Sequence, residues 1–560
     1  GEPAPKGSER EAFVQWLATE IHGDQAASTP LPPSALRRLT ALEYRNAVEA
    51  LLGVTFDAAR YLPEDAVGHG FDHVGTAQSL SEAHFVQYLQ AAEAVAELAL
   101  PRALLEPGSR VRRYEVEELE GGRVSSRGRV LATNGTVEAA VTLPSSGRYR
   151  VRAKVYGMQA GPELCRARLS IGGVESAGDF EVAAEQGSAE VIEAELHLDQ
   201  GAEARVGVEF LNDYYRKAED GKKGEDRNFV VRWIELEGPM DGSAGPALST
   251  PFMDRWAIAS AGSQEPSGAP PLAARVAECA ALIWRSSRVP EARVERLLEF
   301  TSEDASPADR MRAALVAMLA SPRFLFLVDH PVEGAVADER GSVPLDGDSM
   351  AARLAAFLWR SVPDADLHER MGTSEDPVHV AEAMLADPRS DAFADSLADQ
   401  WLQIRGTRSK RASSKSLPAY SDRLRNSMLE ETERVFRASL REEWSLWEFI
   451  DGTKTIVDRQ LAEHYGLTPA AFAQDDGSEE RLPKKGEWRR ASLVATPRRG
   501  LLGHGSILFG TSEATRTSPV KRGKWVLEVL LGSAPPPPPP GVGNLPVVEE
   551  GASELSFRER

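Results

Sequence analysis

Three side chains close together in the sequence carry the oxygen atoms that calcium prefers as ligands. Asp213 lies on one side of a predicted loop, and Asp226 and Asn228 lie on the other. Calcium takes six to eight oxygen ligands, so flanking strands that hold these side chains together would build a calcium site, with sugar hydroxyls completing the coordination. The alternative is that all three are ordinary turn residues, because Asp and Asn favour turns for their own backbone hydrogen bonds.

A second pair of carboxylates and two tyrosines extend this prediction. Glu115 and Glu117 are two residues apart in a predicted strand, so they share one face and predict a second, structural calcium site. The alternative is that they are solvent-facing strand carboxylates. Tyr214 and Tyr215 predict a platform for a sugar ring, whose apolar face packs on aromatic side chains. Trp233 alternates with apolar neighbours and is predicted to lie in the core.

Positive charge is concentrated near the end of the chain. Residues 481–524 contain eleven Lys or Arg against two acids, a net charge of +9 in a chain of net −20, so the remainder carries −29. This segregation predicts a site for an anion, such as an acidic polysaccharide. The alternative is internal neutralisation by the acidic remainder. The predicted site residues are Arg516, Thr517, Ser518, Lys521 and Arg522.

No catalytic signature stands out. The sequence contains no Gly-x-Ser-x-Gly, no His-Glu-x-x-His and no phosphate-binding glycine loop, so the catalytic residues stay unknown. The acidic pair Glu430 and Glu431 is a poor candidate for a two-carboxylate glycosidase, because adjacent helical residues point apart. His464 and His504 are predicted to be structural histidines.

Composition excludes several classes of protein. At about 150 residues per domain, 560 residues predict three to four domains. The net charge of −20 argues against a nucleic-acid partner. The two cysteines, Cys165 and Cys279, exclude a disulfide-rich scaffold and a Cys-x-x-Cys-His haem attachment within the given sequence. The sequence contains no apolar stretch of about 18 residues, so no membrane span is predicted, and no signal peptide is recognisable.

The periodicity of apolar residues predicts helices around a β-structured insert. Thr40 and Glu43 form a capping box that opens a helix ending at Gly53, and Ser306 followed by Pro307 opens another. Apolar alternation and glycine turns are concentrated in residues 112–239. The predicted fold is therefore multi-domain α+β, with a mostly α-helical body and an inserted, jelly-roll-like antiparallel β-sandwich.

Several motifs resemble the planctomycete-type surface and cytochrome c associated proteins, the PSD/PSCyt domain series. They include LRRLTALEYRNAVEALLG at 36–53, LDGDSMAARLAAFLWRSVPDADL at 345–367 and RRGLLGHGSILFGTSEATRTSPVKRGKW at 498–525. The resemblance implies c-type haem domains in flanking segments that this sequence does not include, and a periplasmic, cell-surface or secreted location. It makes the haem propionates of such a domain the other candidate anion for the basic site residues near the end of the chain, and proximity to a haem the alternative role for His464 and His504. The family's usual cysteine partner for Cys279 is missing, which puts the usual disulfide in doubt.

The β-structured insert resembles calcium-dependent xylan-binding modules. The stretch VEFLNDYYRKAEDGKKGEDRNFVVRWIELEGP at 208–239 carries the resemblance, together with YEVEELE at 114–120. It implies a xylan-like polysaccharide as partner and calcium as cofactor. The residues implied in carbohydrate binding are Asn212, Tyr214, Tyr215 and Arg227, with Asp213, Asp226 and Asn228 as metal ligands.

These patterns predict an exported protein that binds polysaccharide through its sandwich and serves as the non-haem body of a cytochrome-type redox protein. The alternatives are a structural or adhesion scaffold and a polysaccharide hydrolase. Without a haem-attachment motif, this sequence alone is predicted to be redox-silent. The predicted division is an end of a cytochrome-like domain at 1–30, helical modules at 31–111 and 273–335, the sandwich at 112–239, a linker at 240–272, a helical domain at 336–475, a basic module at 476–534 and a proline-rich linker at 535–560.

Overall fold

The fold was determined as a computed structural model. It describes residues 36–78, 80–102, 111–125, 127–143, 146–198, 203–216, 225–240, 249–259, 267–339, 341–373, 375–412, 420–442, 444–473, 480–484, 486–514 and 516–536. The predicted cytochrome-like end at 1–30 and most of the proline-rich linker lie outside these residues.

Strands and helices are numbered along the chain. The strands are β1 Arg37–Arg38, β2 Val111–Glu115, β3 Arg123–Ser125, β4 Gly128–Leu131, β5 Gly135–Thr142, β6 Gly147–Met158, β7 Cys165–Ile171, β8 Val174–Glu175, β9 Phe180–Val182, β10 Glu190–Leu198, β11 Glu203–Phe210, β12 Tyr214–Arg216, β13 Glu225–Glu237, β14 Phe326–Leu327, β15 Lys454–Val457 and β16 Arg489–Ser492. The α-helices are α1 Ala41–Leu52, α2 Ala58–Tyr61, α3 Glu82–Ala99, α4 Pro251–Arg255, α5 Leu272–Ile283, α6 Glu291–Leu298, α7 Pro307–Leu319, α8 Pro322–Leu325, α9 Gly347–Leu354, α10 Ala365–Gly372, α11 Pro377–Ala386, α12 Asp391–Trp401, α13 Asp422–Arg441, α14 Trp447–Asp451, α15 Arg459–His464, α16 Gly505–Gly510 and α17 Pro519–Trp525.

Helix α1 forms where its capping residues predict it. The Thr40 side chain accepts a hydrogen bond from the Glu43 backbone N–H, the Glu43 side chain accepts one from the Thr40 N–H, and Gly53 ends the helix in the left-handed conformation. The buried stripe is Tyr44, Ala47, Val48, Leu51 and Leu52. Helix α7 likewise begins at Pro307 after its Ser306 cap. Both predicted helices are therefore confirmed.

The predicted sandwich is confirmed as two antiparallel sheets. One sheet has the order β10-β6-β13-β4-β3, with β2 and β12 also paired to β13, and the other has the order β5-β11-β7-β8, with β9 on β7. Apolar residues of the two inner faces pack together, as where the rings of Phe210 and Phe229 stack 5.4 Å apart. The core of the sandwich is continuous with the core of the surrounding helices of the first unit.

The two ends of the sandwich are tied together where it joins the helices. Its first strand, β2, pairs with its last strand, β13. The Thr250 hydroxyl, which caps α4, donates to the carbonyl of Ala99 at the end of α3 (2.6 Å), and the Arg112 guanidinium donates to the carbonyl of Ser249 (2.6 Å). An insert whose ends meet can be accommodated without opening the helical core around it.

A β-bulge in β13 corrects the prediction that Trp233 lies in the core. The register against β6 shifts between Val231 and Trp233. Before the bulge the inward residues are Phe229 and Val231, and after it they are Ile234 and Leu236, because one extra residue reverses the alternation. Trp233 is therefore only half-buried, with the Arg113 guanidinium 4.3 Å from its ring centroid.

The structure also corrects the premise that Glu115 and Glu117 share a strand face. Strand β2 ends at Glu115, and residues 116–118 form a turn of 3-10 helix. Two-residue alternation therefore does not extend to Glu117. The Glu117 carboxylate lies 3.5 Å from Arg60, at the rim of the helical region.

The described residues divide into two compact units, the first ending at Phe393 and the second starting at Ala394. This division falls inside the helical domain predicted at 336–475. The segment predicted as a linker contains α4, whose Phe252 and Met253 are buried in the core of the first unit. The sandwich and many helices are confirmed. The body also contains short β-ribbons and irregular segments, so a mostly α-helical body stays a prediction.

No helix in the described part of the chain combines the length and the apolar character that crossing a membrane requires.

A buried ion network connects α1 to a segment more than 300 residues away in the first unit. The fully buried carboxylate of Glu43 lies 2.8 Å from Arg37 and 3.1 Å from Arg360, whose guanidinium also lies 2.9 Å from Asp72. Burial alone raises the pKa of Glu43, but the Arg360 and Arg37 charges outweigh it and hold the pKa below its usual value. Glu43 is therefore ionised in the folded protein, and its negative charge balances the positive charges of Arg37 and Arg360.

We expect Glu43→Ala to lower the free energy of unfolding by about 3–5 kcal/mol, because it leaves the buried Arg360 and the half-buried Arg37 without this counter-charge. Urea unfolding at pH 7 measures the change. In the wild type the contribution is present above the usual pKa of 4.5 and is lost as the pH falls through the lower native value. Glu49→Ala, at an exposed position of the same helix, is the control and should change stability by less than about 0.5 kcal/mol. Equal losses in the two variants would contradict this role of Glu43.

Candidate functional site

Most of the predicted site residues lie at one end of the sandwich, where β12 pairs with β13. The register pairs Tyr214 with Arg227 and Tyr215 with Asp226. Side chains of directly opposed residues share a face, so Tyr215 and Asp226 lie on one face and Tyr214 and Arg227 on the other. Carried one residue further, this register puts Asp213 opposite Asn228, on the face of Tyr215 and Asp226. We call this end of the sandwich the β12–β13 tip.

Arg227 supports the tip from its inner side. It shares the parity of core residue Phe229 and is only 2% exposed. Its guanidinium donates to the carbonyls of Ala160 (2.9 Å), Asn212 (2.7 Å) and Glu163 (2.6 Å), so it holds two loops together. Its donors are used within the fold, which makes Arg227 a positioning residue, and the predicted contact between Arg227 and a sugar stays a prediction.

Asn212 has the same supporting role. Its side-chain oxygen accepts the backbone N–H of Arg166 (2.7 Å), and its amide nitrogen donates to the carbonyl of Leu164 (2.8 Å). A side chain whose oxygen and nitrogen are both engaged with the backbone fixes the loop in front of β12 rather than reaching for a ligand. The predicted sugar contact by Asn212 likewise stays a prediction.

The two tyrosines differ in accessibility. Tyr214 is half-buried between Gly161 and Arg227: a Cβ at residue 161 would lie 2.9 Å from the Tyr214 ring, and the Arg227 guanidinium lies 5.4 Å from the ring centroid. Tyr215 is 69% exposed, on the face that carries Asp226. Tyr215 is therefore the accessible aromatic platform of the pair.

The outer face of the tip carries oxygen ligands and one apolar side chain. Asp213 and Asp226 are exposed, while Asn228 is buried and donates through its amide nitrogen to the carbonyl of Asp226 at 3.4 Å, leaving its side-chain oxygen as an acceptor. The Asp213 N–H donates to the side chain of Asn134 (2.6 Å), which fixes the backbone at the start of β12. Carboxylate and amide oxygens form a set of donors that fits calcium.

Sequence analysis missed two contributors to this face. Met158 pairs with Asn228 across β6 and β13, so it lies on the same face, and it is 42% exposed. Asn134 comes from the turn before β5 and contacts the tip through Asp213. Neither residue lies near the 208–239 stretch in sequence, so only the pairing of distant strands brings them to the tip.

The pair Glu115 and Glu117 forms a less suitable metal site. Burial raises the pKa of Glu115, Arg113 opposes that shift, and the neighbouring Glu117 and Glu118 raise it further. Glu118 is engaged by Arg112 at 3.2 Å. Across the described ranges, no group of three or more His, Cys, Asp or Glu side chains is placed to hold a metal ion. A second calcium at Glu115 and Glu117 stays a prediction.

The predicted anion site near the end of the chain is partly neutralised. The Ser518 hydroxyl is buried and caps α17, Lys521 lies 2.7 Å from Glu513, and Arg522 donates to the Thr511 hydroxyl at 3.3 Å. Thr517 is exposed and Arg516 is half-buried. Lys410 lies close enough for Lys521 to lower its pKa, in addition to the larger effect of burial. Cationic side chains therefore still outnumber anionic side chains around Glu513.

A buried polar network in the second unit contains His504 and Glu431. Glu431 accepts hydrogen bonds from Thr455 (2.6 Å) and Tyr465 (2.5 Å), and burial lowers the pKa of His504, which lies 3.0 Å from the Thr432 hydroxyl. His504 is therefore a structural histidine, as predicted. Glu430 lies 2.8 Å from Arg434, and Glu431 is fully buried, so neither carboxylate is placed as a glycosidase acid.

Both cysteines are buried and unpaired with each other. Burial raises the pKa of Cys165 to about 11 and that of Cys279 to about 12. A thiol with such a pKa is almost entirely protonated at neutral pH, which makes both residues packing residues rather than nucleophiles.

Four family models match the chain. They are PSD3, a protein of unknown function (DUF1587), at residues 37–101; CBM60, a Ca-dependent carbohydrate-binding module described as xylan-binding, at 150–249; PSD4, a protein of unknown function (DUF1592), at 345–467; and PSCyt3, a protein of unknown function (DUF1588), at 498–560. The chain matches the PSD/PSCyt domain series. The resemblance stated from sequence is confirmed, with the carbohydrate-binding module between PSD3 and PSD4.

The chain is also similar to several solved carbohydrate-binding modules. A family 35 module from Clostridium thermocellum is 15% identical over 22% of this chain and 96% of that one, with a TM-score of 0.16. The C-terminal CBM6 of a marine laminarinase from Zobellia galactanivorans is 14% identical over 23% and 99%, with a TM-score of 0.16. A CBM36 in complex with calcium and xylotriose is 17% identical over 22% and 99%, with a TM-score of 0.14. The comparison with curated proteins found no match.

The supporting role of Arg227 predicts how its lysine variant behaves. Arg227→Lys replaces a planar fork of donors by one ammonium, which cannot reach the carbonyls of Ala160, Asn212 and Glu163 together. We expect a loss of about 1–3 kcal/mol in stability, with faster amide hydrogen exchange confined to residues 159–164 and 211–213. Arg216→Lys, in an exposed ion pair with Glu225 on the same hairpin, is the matched control. Unchanged amide hydrogen exchange at residues 159–164 and 211–213 of the Arg227→Lys variant would show that Arg227 does not hold these loops.

Proposed function

We propose that the sandwich binds a xylan-like polysaccharide through calcium held at the β12–β13 tip. The observation that carries this proposal is the shared outer face of β12 and β13, where Asp226 lies beside the exposed ring of Tyr215. The CBM60 match supports the polysaccharide class and the calcium dependence. The inner face, with Arg227 and Asn212, keeps this arrangement in place.

Each part of the outer face has a separate task in this proposal. Asp213, Asp226 and the side-chain oxygen of Asn228 hold the calcium ion, and backbone carbonyls, water and vicinal sugar hydroxyls supply the rest of its six to eight ligands. Calcium bound there gives the sugar hydroxyls a cation to coordinate. Tyr215 and Met158 offer apolar surface to the sugar ring. The polymer need carry no charge, because it is recognised through hydroxyls and ring faces.

We expect Asp213→Asn and Asp226→Asn to abolish binding of xylo-oligosaccharides in calorimetry, because each removes a charged oxygen ligand while keeping the side-chain size. Tyr215→Ala should weaken binding about tenfold while leaving calcium affinity unchanged, since a stacked ring contributes about 1–2 kcal/mol. The wild type should lose binding in excess chelator and regain it when calcium is restored.

The control variant is Glu181→Gln, which removes an exposed carboxylate from β9 of the same sandwich. It should bind oligosaccharide and calcium as the wild type does. Binding of equal strength with and without chelator would rule out the calcium mechanism, and loss of binding in Glu181→Gln would assign the effects to overall charge.

We further propose that this exported chain is the non-haem body of a cytochrome-type redox protein, which brings electron transfer to the polysaccharide. The PSCyt3 match at 498–560 supports it, together with the surplus of cations around Glu513 in the second unit. Arg516 and Lys521 would form charge-assisted hydrogen bonds to the haem propionates of a c-type domain. A structural or adhesion scaffold without redox activity is the alternative outcome.

Docking of a c-type haem domain tests this second proposal. We expect the double change Arg516→Gln and Lys521→Gln to weaken binding of a purified c-type cytochrome domain about tenfold or more and to reduce its dependence on salt. Lys524→Gln, which removes an exposed lysine that pairs with Glu528, is the control. Docking that responds neither to the double change nor to added salt would favour the scaffold.

A further inference from the structure

A pocket of about 530 Å³ in the first unit contains more cations than acids. Its size lies within the range of about 300–1,000 Å³ typical of small-molecule sites. It is bordered by the segment after α5 and by α6, α8 and α9, and it shares no residue with the β12–β13 tip. The charged side chains that line it are Arg285, Arg288, Arg293, Arg323, Asp346 and Asp348.

Three of the arginines have no counter-ion. Within the described residues, no carboxylate forms an ion pair with Arg288, Arg293 or Arg323. Burial lowers the pKa of Arg293, and the nearby charges of Arg323 and Arg296 lower it further. A concentration of like charge in a concave surface attracts an anion from solvent.

A fourth arginine lies at the base of the pocket. Arg285 is 6% exposed and adopts a left-handed backbone conformation with φ of 53°. One terminal nitrogen donates to the carbonyls of Arg323 (2.7 Å), Phe324 (3.0 Å) and Phe326 (2.8 Å), while the other, Nη1, has no hydrogen-bond partner among the described residues. Glu43 is the carboxylate that offsets part of its charge. Arg285 therefore adds positive potential beneath the three exposed or half-buried arginines.

The opposite wall offers acceptors, and an indole borders the space. The Asp348 carboxylate accepts the Ser287 N–H (2.6 Å) and lies 3.1 Å from His368, and Asp346 accepts the Ser349 N–H (2.8 Å). Their remaining lone pairs can accept hydrogen bonds from hydroxyls. The Trp284 indole is fixed by its hydrogen bond to the Met318 carbonyl (3.2 Å). The pocket thus combines cations, hydroxyl acceptors and a rigid ring.

We propose that this pocket binds a carboxylate-bearing sugar, that is, a uronate. The planar guanidinium fork matches a carboxylate through two parallel hydrogen bonds. The sugar hydroxyls donate to Asp346 and Asp348, and the apolar face of the ring lies against Trp284. An inorganic anion such as phosphate would use the arginines alone. The site is independent of the calcium-dependent sugar site proposed for the sandwich.

Calorimetry on the full chain tests the proposal with three probes: D-glucuronate, D-glucose and inorganic phosphate. Measurements at low salt in the presence of chelator exclude any contribution from the calcium site. We expect saturable binding of glucuronate, at least tenfold weaker binding of glucose, and phosphate binding at least tenfold weaker than glucuronate. The double change Arg293→Gln and Arg323→Gln should weaken glucuronate binding about tenfold or more, because a hydrogen bond to a charged group contributes about 1.5–3 kcal/mol.

Two further variants make the result specific to the pocket. Arg288→Gln changes an exposed lining residue and should also weaken glucuronate binding, whereas Arg45→Gln changes an exposed arginine of α1 that does not line the pocket, and should leave it unchanged. Absence of saturable binding, equal affinity for glucose or phosphate, or the same loss in Arg45→Gln would overturn the proposal. Failure of the wild type to bind xylo-oligosaccharides in calcium-containing buffer, with glucuronate binding retained, would contradict the sandwich proposal alone.

Discussion

The alternation of side chains along β13 is the constraint on which the candidate site depends. This strand pairs with β2, β4, β6 and β12, so the face on which each of its residues lies is fixed by several neighbours at once. At its start the alternation directs Arg227 inward and Asp226 outward. The bulge near Arg232 then reverses the parity, so that Ile234 faces the core and Trp233 does not.

At the β12–β13 tip, residues of the inner face hold the loops in place, and residues of the outer face are those proposed to bind calcium and sugar. Buried donors on the inner face satisfy loop carbonyls that would otherwise be unpaired, and fixed loops preorganise the outer oxygen atoms. A calcium site needs several ligands held at about 2.3–2.6 Å, which a loosely held hairpin cannot supply. The supporting residue Arg227 therefore lies between two proposed ligands, Asp226 and Asn228, in the sequence.

Local patterns predicted the elements well because the interactions that start and end them are local. The Thr40 and Glu43 capping box, the Gly53 cap and the alternation of the β-structured insert all act within a few residues, and all three are confirmed. The role of Arg227 could not be predicted in this way, because its partners lie in the 160–163 loop. A bulge leaves no strong signal in a sequence, so the placement of Trp233 was wrong.

Features assembled from distant segments were not accessible from the sequence at all. The arginine pocket joins residues 284–293 with 321–352, and the network around Glu431 joins α13 with β15 and the segment at 504–506. In each case the chemistry arises from tertiary packing rather than from spacing along the chain. The basic count at 481–524 was correct, yet Ser518 and Lys521 are already engaged within the fold.

A crystal structure of the full chain grown with calcium and a xylo-oligosaccharide tests the central claim most directly. Data collected at a wavelength where calcium scatters anomalously would locate the ion independently of the model phases. The account predicts one anomalous peak between Asp213, Asp226 and Asn228, about 2.3–2.6 Å from their oxygens, with a sugar ring against Tyr215. An oligosaccharide bound elsewhere on the sandwich, with no calcium at the β12–β13 tip, would contradict it.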